Sequence, residues 1–139
     1  MKNWIRYILI TLSVGGGFTG MTVIAQMLGM GQFQLLSQSV IAGLFFCLYA
    51  FVVWSGLVLV KNPRKIWPIM IALIIQVPVI SSPLISYRFF SGAQIMAGLL
   101  GFKLNASANF GSSFFLGFFY GPPWGLCINI LPLVLGGIL

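Results

Sequence analysis

Three long apolar runs constrain this chain more than any other feature of it. They cover residues 4–28, 36–60 and 66–85. Each has the roughly 20 residues that a helix needs to cross the hydrocarbon core of a bilayer. Gly29, Gly31, Gln32, Gln34 and Ser37 mark a turn between the first two runs. Lys61-Asn62-Pro63-Arg64-Lys65, charged and broken by proline, is a loop between the second and third. The chain is 60% hydrophobic with a mean hydropathy of +1.09. A water-soluble domain of 139 residues could not hide that much apolar surface. The reading is an all-α integral membrane protein that forms a single transmembrane helix-bundle domain over residues 1–139.

The end of the chain bears on the number of spans. Residues 114–139 are almost wholly apolar, yet Gly121-Pro122-Pro123-Trp124-Gly125 interrupts them. A continuous helix over 112–139 would be about 42 Å long, more than a bilayer core requires. Tandem prolines remove two backbone donors and bias Pro122 away from helix. A break at the membrane surface makes Pro123 an early helical residue, where a missing N–H costs nothing. Residues 123–139 then make a fourth span of about 26 Å. Tyr120 and Trp124 would belong to the outer aromatic belt, as Trp4, Tyr7 and Trp67 would to the inner one.

Residues 86–121 hold no uninterrupted apolar run of spanning length. They carry Arg88, Lys103, Asn105, Asn109, many Ser and Gly, and a series of Phe. Residues 92–104 read as one short helix with Ala93, Ala97 and Gly101 as its small face. Such a segment is too short to span and too apolar to float free, so an interfacial or re-entrant outer segment is expected. The Asn105-Ala106-Ser107 sequon is read as a chance match.

All seven charges are positive, and Asp, Glu and His are absent. No carboxylate pair, Ser-His-Asp triad or Cys-His pair exists to do acid–base or nucleophilic chemistry. Two cysteines without His or carboxylates offer no metal site. The expectation is a protein that is not an enzyme and has no cofactor. Cys47 and Cys127 lie in apolar runs and read as packing residues. The charges are too few and too scattered for nucleic acid, and pairing with anionic lipid headgroups fits them better.

Lys2, Arg6, Lys61, Arg64 and Lys65 fall on one side of the predicted spans. By the positive-inside rule that side is cytoplasmic, and a fourth span returns the C-terminus to it. The location read from this pattern is a multi-pass cell-membrane protein of a bacterial inner membrane. Lys2 and Arg6 ahead of an apolar run also resemble a signal peptide, but no small-residue cleavage site follows, so an uncleaved first helix is expected.

Four groups of residues stand out as candidate sites. Gly16 and Gly20 form a GxxxG pair in the first run, and Ser39 and Gly43, with Cys47 and Ala50, form a small face in the second. These read as helix-packing or partner surfaces. Gln76 and Asn129 are strong hydrogen-bonding side chains inside the spans, read as a clasp or as the lining of a solute pathway. Pro78 should kink the third span and free a carbonyl near Ile74. Arg88 and Lys103 are candidates to hold lipid headgroups, and Trp4, Trp67, Tyr120 and Trp124 to anchor the interfaces.

Three functions follow. The first is a non-enzymatic interaction protein, either an accessory subunit of a membrane complex or an immunity-type protein, with a membrane-protein partner or a homo-oligomer. The second is an oligomeric channel or carrier for a small anion or neutral solute. The third is a lipid-binding membrane protein.

Overall fold

The computed structural model describes residues 3–31, 35–101, 103–119 and 124–139, with residue 100 described by its backbone alone. Two long helices lead the chain. Helix α1 runs over Asn3–Gly29 and α2 over Leu36–Lys61. Both are long and apolar enough to cross a membrane. Helix α1 carries a π-helical stretch, Thr11–Gly15, that ends on the first residue of its Gly15-Gly16-Gly17 run. Helix α2 stops where Pro63 forces Asn62 into an extended conformation (φ −137°, ψ 94°). The Arg6 guanidinium donates to the Val60 carbonyl at 2.8 Å, so the start of α1 caps the end of α2.

Beyond residue 66 the all-α, four-span reading is overturned. The third predicted span, 66–85, holds only a nine-residue helix, α3 (Trp67–Ile75), followed by a strand, β1 (Pro78–Ser81). Pro78 ends the helix outright instead of kinking it. It sits at the first position of a strand, where its missing N–H is tolerated. The described residues between 86 and 119 form no short or interfacial helix. They build a hairpin of two 16-residue strands, β2 (Ile85–Leu100) and β3 (Lys103–Phe118). The small-face residues Ala93 and Ala97 lie in β2, and Gly101 (φ +54°) lies in the turn. The fourth predicted span, 123–139, is also divided. Residues Gly125–Asn129 form β4, and helix resumes at Ile130, not near Pro123, as α4 (Ile130–Ile138). Tyr120, Pro122 and Pro123 lie outside the described residues. The described residues therefore form a mixed fold of four helices and a four-stranded antiparallel sheet.

The sheet order is β1-β4-β2-β3, with β1 also pairing with β2. Strand β2 pairs with β1 near its start (Ile80 with Tyr87) and with β4 near its end (Met96 with Asn129, Leu100 with Gly125). Strands β1 and β4 pair with each other. These three strands close into a ring around Val79, Met96 and Cys127. Closure requires β2 to bend between its two pairing zones, and Gly92 (φ +86°) lies there, opposite Gly111 (φ +118°) on β3. Only Gly adopts such angles without strain.

Two clusters join helices to the sheet and to one another. Ile24, Ala42, Phe45, Tyr49, Val52, Ala72 and Phe89 pack as one core, with Tyr87, Phe114 and Leu116 against it. The Phe45 and Phe114 ring centroids are 4.8 Å apart, and those of Tyr49 and Phe89 are 4.9 Å apart. A second cluster joins Ile5, Leu9, Leu59, Ile69, Leu73 and Leu135, with Leu139 against it.

Candidate functional site

The sheet meets both long helices at their midpoints. Gly16 is the central residue of α1. A Cβ placed there would lie 2.1 Å from the backbone nitrogen of Gly92, so α1 and β2 touch backbone to backbone. The seam is fixed by hydroxyls. Ser112 Oγ donates to the Gly16 carbonyl at 2.5 Å, and Thr19 Oγ1 lies 2.9 Å from Ser112 Oγ. Tyr49, near the middle of α2, donates its hydroxyl to the Phe90 carbonyl at 3.3 Å.

Gly17 and Gly20 serve the contact between α1 and α2. Added Cβ atoms would meet Val53 at 2.4 Å and the Tyr49 ring at 2.3 Å, respectively. The GxxxG pair thus serves two different neighbours, a strand at Gly16 and a helix at Gly20. The proposed matching face on α2 points elsewhere. Gly43 and Cys47 are exposed, Ser39 is half-buried, and a Cβ at Gly43 would meet nothing within 4 Å. Helix α2 packs instead through Ala42, Phe45, Tyr49, Val52 and Val53.

Gln76 and Asn129 do one job at two places. Where β2 bends, its edge away from β3 has no strand to accept its N–H groups. Gln76 Oε1 accepts the Ser91 N–H at 3.0 Å, and Asn129 Oδ1 accepts the Ile95 N–H at 3.1 Å. Gln76 Nε2 donates back to the Ala72 carbonyl at 3.0 Å, tying the end of α3 to the strand. The carbonyl at Ile74 takes the Val77 N–H, and its neighbour at Ile75 takes the Tyr87 hydroxyl. Both amides are buried, and such substituted acceptors spare β2 the cost of bare N–H groups in an apolar interior.

The fit around these amides is incomplete. Asn129 Nδ2 and Ser91 Oγ are buried without a hydrogen-bond partner among the described residues. Ser13, Gln76 and Ser91 border a void of about 10 Å³, room for one water. Within one chain this is a clasp around a small polar core.

Arg88 and Lys103 are not brought together. Arg88 is exposed and pairs across the hairpin with Phe115, whereas Lys103 is exposed at the hairpin's far end, opposite Leu100. Arg88 borders a cleft of about 490 Å³ with Thr19, Asn109 and Ser113. An adjoining cleft of about 380 Å³ shares Val23 and the Ser112–Ser113 segment with it and is lined further by Met27, Ile41 and Phe114. One end of this groove is cationic and hydroxyl-lined, and the other is apolar. Trp4, Trp67 and Trp124 are all exposed, and Tyr120 lies outside the described residues.

Sequence reasoning missed the outward face of the sheet. Ile80, Leu126, Leu99 and Leu104 are paired in one row across β1, β4, β2 and β3. Their exposures are 39%, 61%, 55% and 89%. The signal was present in β3. From Lys103 to Phe110 the odd positions are Lys, Asn, Ser and Asn, and the even positions are Leu, Ala, Ala and Phe. That period of two belongs to a strand with one apolar face.

Compared with protein-family models, curated proteins and solved structures, the chain matches none of them.

Proposed function

We propose that this is a membrane-embedded, non-enzymatic interaction protein, an accessory or immunity-type subunit that works by docking to other chains within the bilayer. The observation that carries this reading is the outward apolar row Ile80, Leu126, Leu99 and Leu104 on the sheet. Isolated exposed apolar residues are ordinary, but a contiguous row across four strands, beside two helices of spanning length, marks a surface for lipid or protein. The lack of Asp, Glu and His supports a role other than catalysis. The ends of α1 and α2 that carry Arg6 and Lys61 lie together, and Leu139 packs into the same cluster as Ile5 and Leu59. On this reading, that end faces the cytoplasm of a bacterial inner membrane.

The test is alkaline carbonate extraction of the expressed protein, followed by native mass spectrometry from mild detergent. Retention in the pellet and recovery with a second chain are expected. A protein washed into the supernatant would overturn membrane embedding, and a bare monomer under every mild condition would overturn docking.

A second reading rests on Arg88. The chain has no side-chain carboxylate to neutralise that guanidinium, and the groove beside it suits an anionic phospholipid, phosphate at the cationic end and acyl chain along Val23 and Met27. Arg88→Gln should then lower retention of phosphatidylglycerol in native mass spectra about tenfold, the equivalent of about 1.4 kcal/mol. Equal retention would remove Arg88 from lipid binding.

A further inference from the structure

Strand β3 ends the sheet, and along one side its Lys103–Phe110 stretch pairs with no other strand among the described residues. The N–H groups of Ser91 and Ile95 point away from β3, toward Gln76 and Asn129. By strand alternation, the even residues of β2 and the odd residues of β3 exchange hydrogen bonds with each other. The N–H and C=O groups of Leu104, Ala106, Ala108 and Phe110 are therefore directed outward. All four residues are exposed.

The position of this edge matters more than its length. Ser112 is bonded to the midpoint of α1. Phe110 and Ala108, two and four residues away, lie within about 14 Å of it at any inclination of the strand. The half-thickness of a bilayer core is about 15 Å. If α1 and α2 cross a membrane, these outward backbone groups stand in hydrocarbon. Open sheet edges are not found there, because each unsatisfied group costs several kcal/mol.

We infer that the β3 edge is covered by β3 of a second copy of this chain, antiparallel about a two-fold axis at Ser107. This rests on the membrane reading above and names the partner it leaves open. The choice of a second copy follows from the strand's own sequence. With Ser107 opposite Ser107, Asn105 meets Asn109, Leu104 meets Phe110, and Ala106 meets Ala108. Polar side chains share one face with polar ones, and apolar with apolar. A register shifted by one residue would set Leu104 opposite Asn109 in one direction and Phe110 opposite Asn105 in the other, apolar against polar on the same face. The exposed amides of Asn105 and Asn109 become each other's partners. Ser107 Oγ is buried without a partner among the described residues, and a turn about its χ1 would bring it to its symmetry mate at the axis. Lys103 is the only charge on the strand and falls opposite Gly111, well apart from its symmetry mate. A parallel arrangement would stack the two lysines side by side. The hydrogen-bonded pairs, Leu104 with Phe110 and Ala106 with Ala108, involve the residues whose backbone groups point outward. Ser107 forms the close, non-hydrogen-bonded pair at the centre.

The experiment is single-cysteine cross-linking in native membranes, in a Cys47→Ala, Cys127→Ala background, with copper–phenanthroline and oxygen as oxidant. Ser107→Cys should give disulfide-linked dimer at least tenfold more efficiently than Asn105→Cys or Asn109→Cys alone. The last two, co-expressed, should cross-link to each other. Carbonate extraction is run on the same membranes. Protein retained in the pellet with no preference for position 107, and no Asn105→Cys to Asn109→Cys product, overturns the pairing while the membrane reading stands. Protein released by carbonate overturns both.

Discussion

Substituting Gly16 by Ala tests whether the backbone seam between α1 and β2 holds the fold together. The added Cβ would sit 2.1 Å from the Gly92 nitrogen and 2.5 Å from its Cα, both backbone atoms that no rotamer change can move. Ordinary contact needs about 3.5 Å, so helix and strand must part by more than about 1 Å, enough to forfeit up to half of each dispersion contact along the seam. Overpacking of this kind costs about 1–3 kcal/mol. Stretching the bond from Ser112 Oγ to the Gly16 carbonyl adds about 1 kcal/mol. The higher helix propensity of Ala returns at most about 1 kcal/mol. Gly15→Ala is the internal control, because a Cβ there meets nothing within 4 Å and only the propensity gain remains. The two variants should differ by about 2–4 kcal/mol, or about 6–15 °C in Tm for a chain of this size. The assay is thermal unfolding of both proteins in the same lipid nanodiscs, followed by tryptophan fluorescence. Equal Tm values within 2 °C would refute the close approach of α1 to β2.

Other outcomes follow from the same geometry. Gln76→Leu removes the acceptor of the Ser91 N–H and should destabilise by about 1–3 kcal/mol; hydrogen exchange at Ser91 should quicken while amides at the outer end of α2 are unchanged. In Gly98→Ala a Cβ would lie 2.3 Å from the Leu126 carbonyl oxygen, so β4 should detach from β2 and the buried Cys127 thiol should become reactive to maleimide. Gly43→Ala, on the open face of α2, should leave stability within about 0.5 kcal/mol of the parent or slightly raise it; a large loss in detergent-solubilised monomer would show that this face is packed.

The first half of the fold was legible in the sequence because one signal suffices there. Two apolar runs of about 25 residues, separated by a polar turn and ended by Lys61-Asn62-Pro63, have no easy solution but long helices. The second half fails by the same logic. Residues 66–85 and 123–139 are apolar enough to span, but apolarity measures burial and not conformation. Pro78 and Asn129 mark the places where helix and strand exchange. Ala93, Ala97 and Gly101 fit a helical small face at spacing four and equally fit one face of a strand and its turn, so the spacing alone did not decide. The alternation over Lys103–Phe110 did carry the answer. Gln76 and Asn129 stood out as buried amides that must bond to something. Their real partners, the N–H groups at a bend in β2, exist only once that strand exists.

The amides at that bend also set how many chains can join. Strands β1 and β4 are each flanked on both sides, and the remaining side of β2 is occupied by strands or by Gln76 and Asn129. The sheet is thus monovalent. A strand left open on two sides could add copy after copy into a ribbon, whereas among the described strands β3 alone has a free side, which one partner would saturate. With a second copy on β3, edge pairing would terminate at two chains, and a small apolar protein that exposes a long strand would be kept from growing into a fibre.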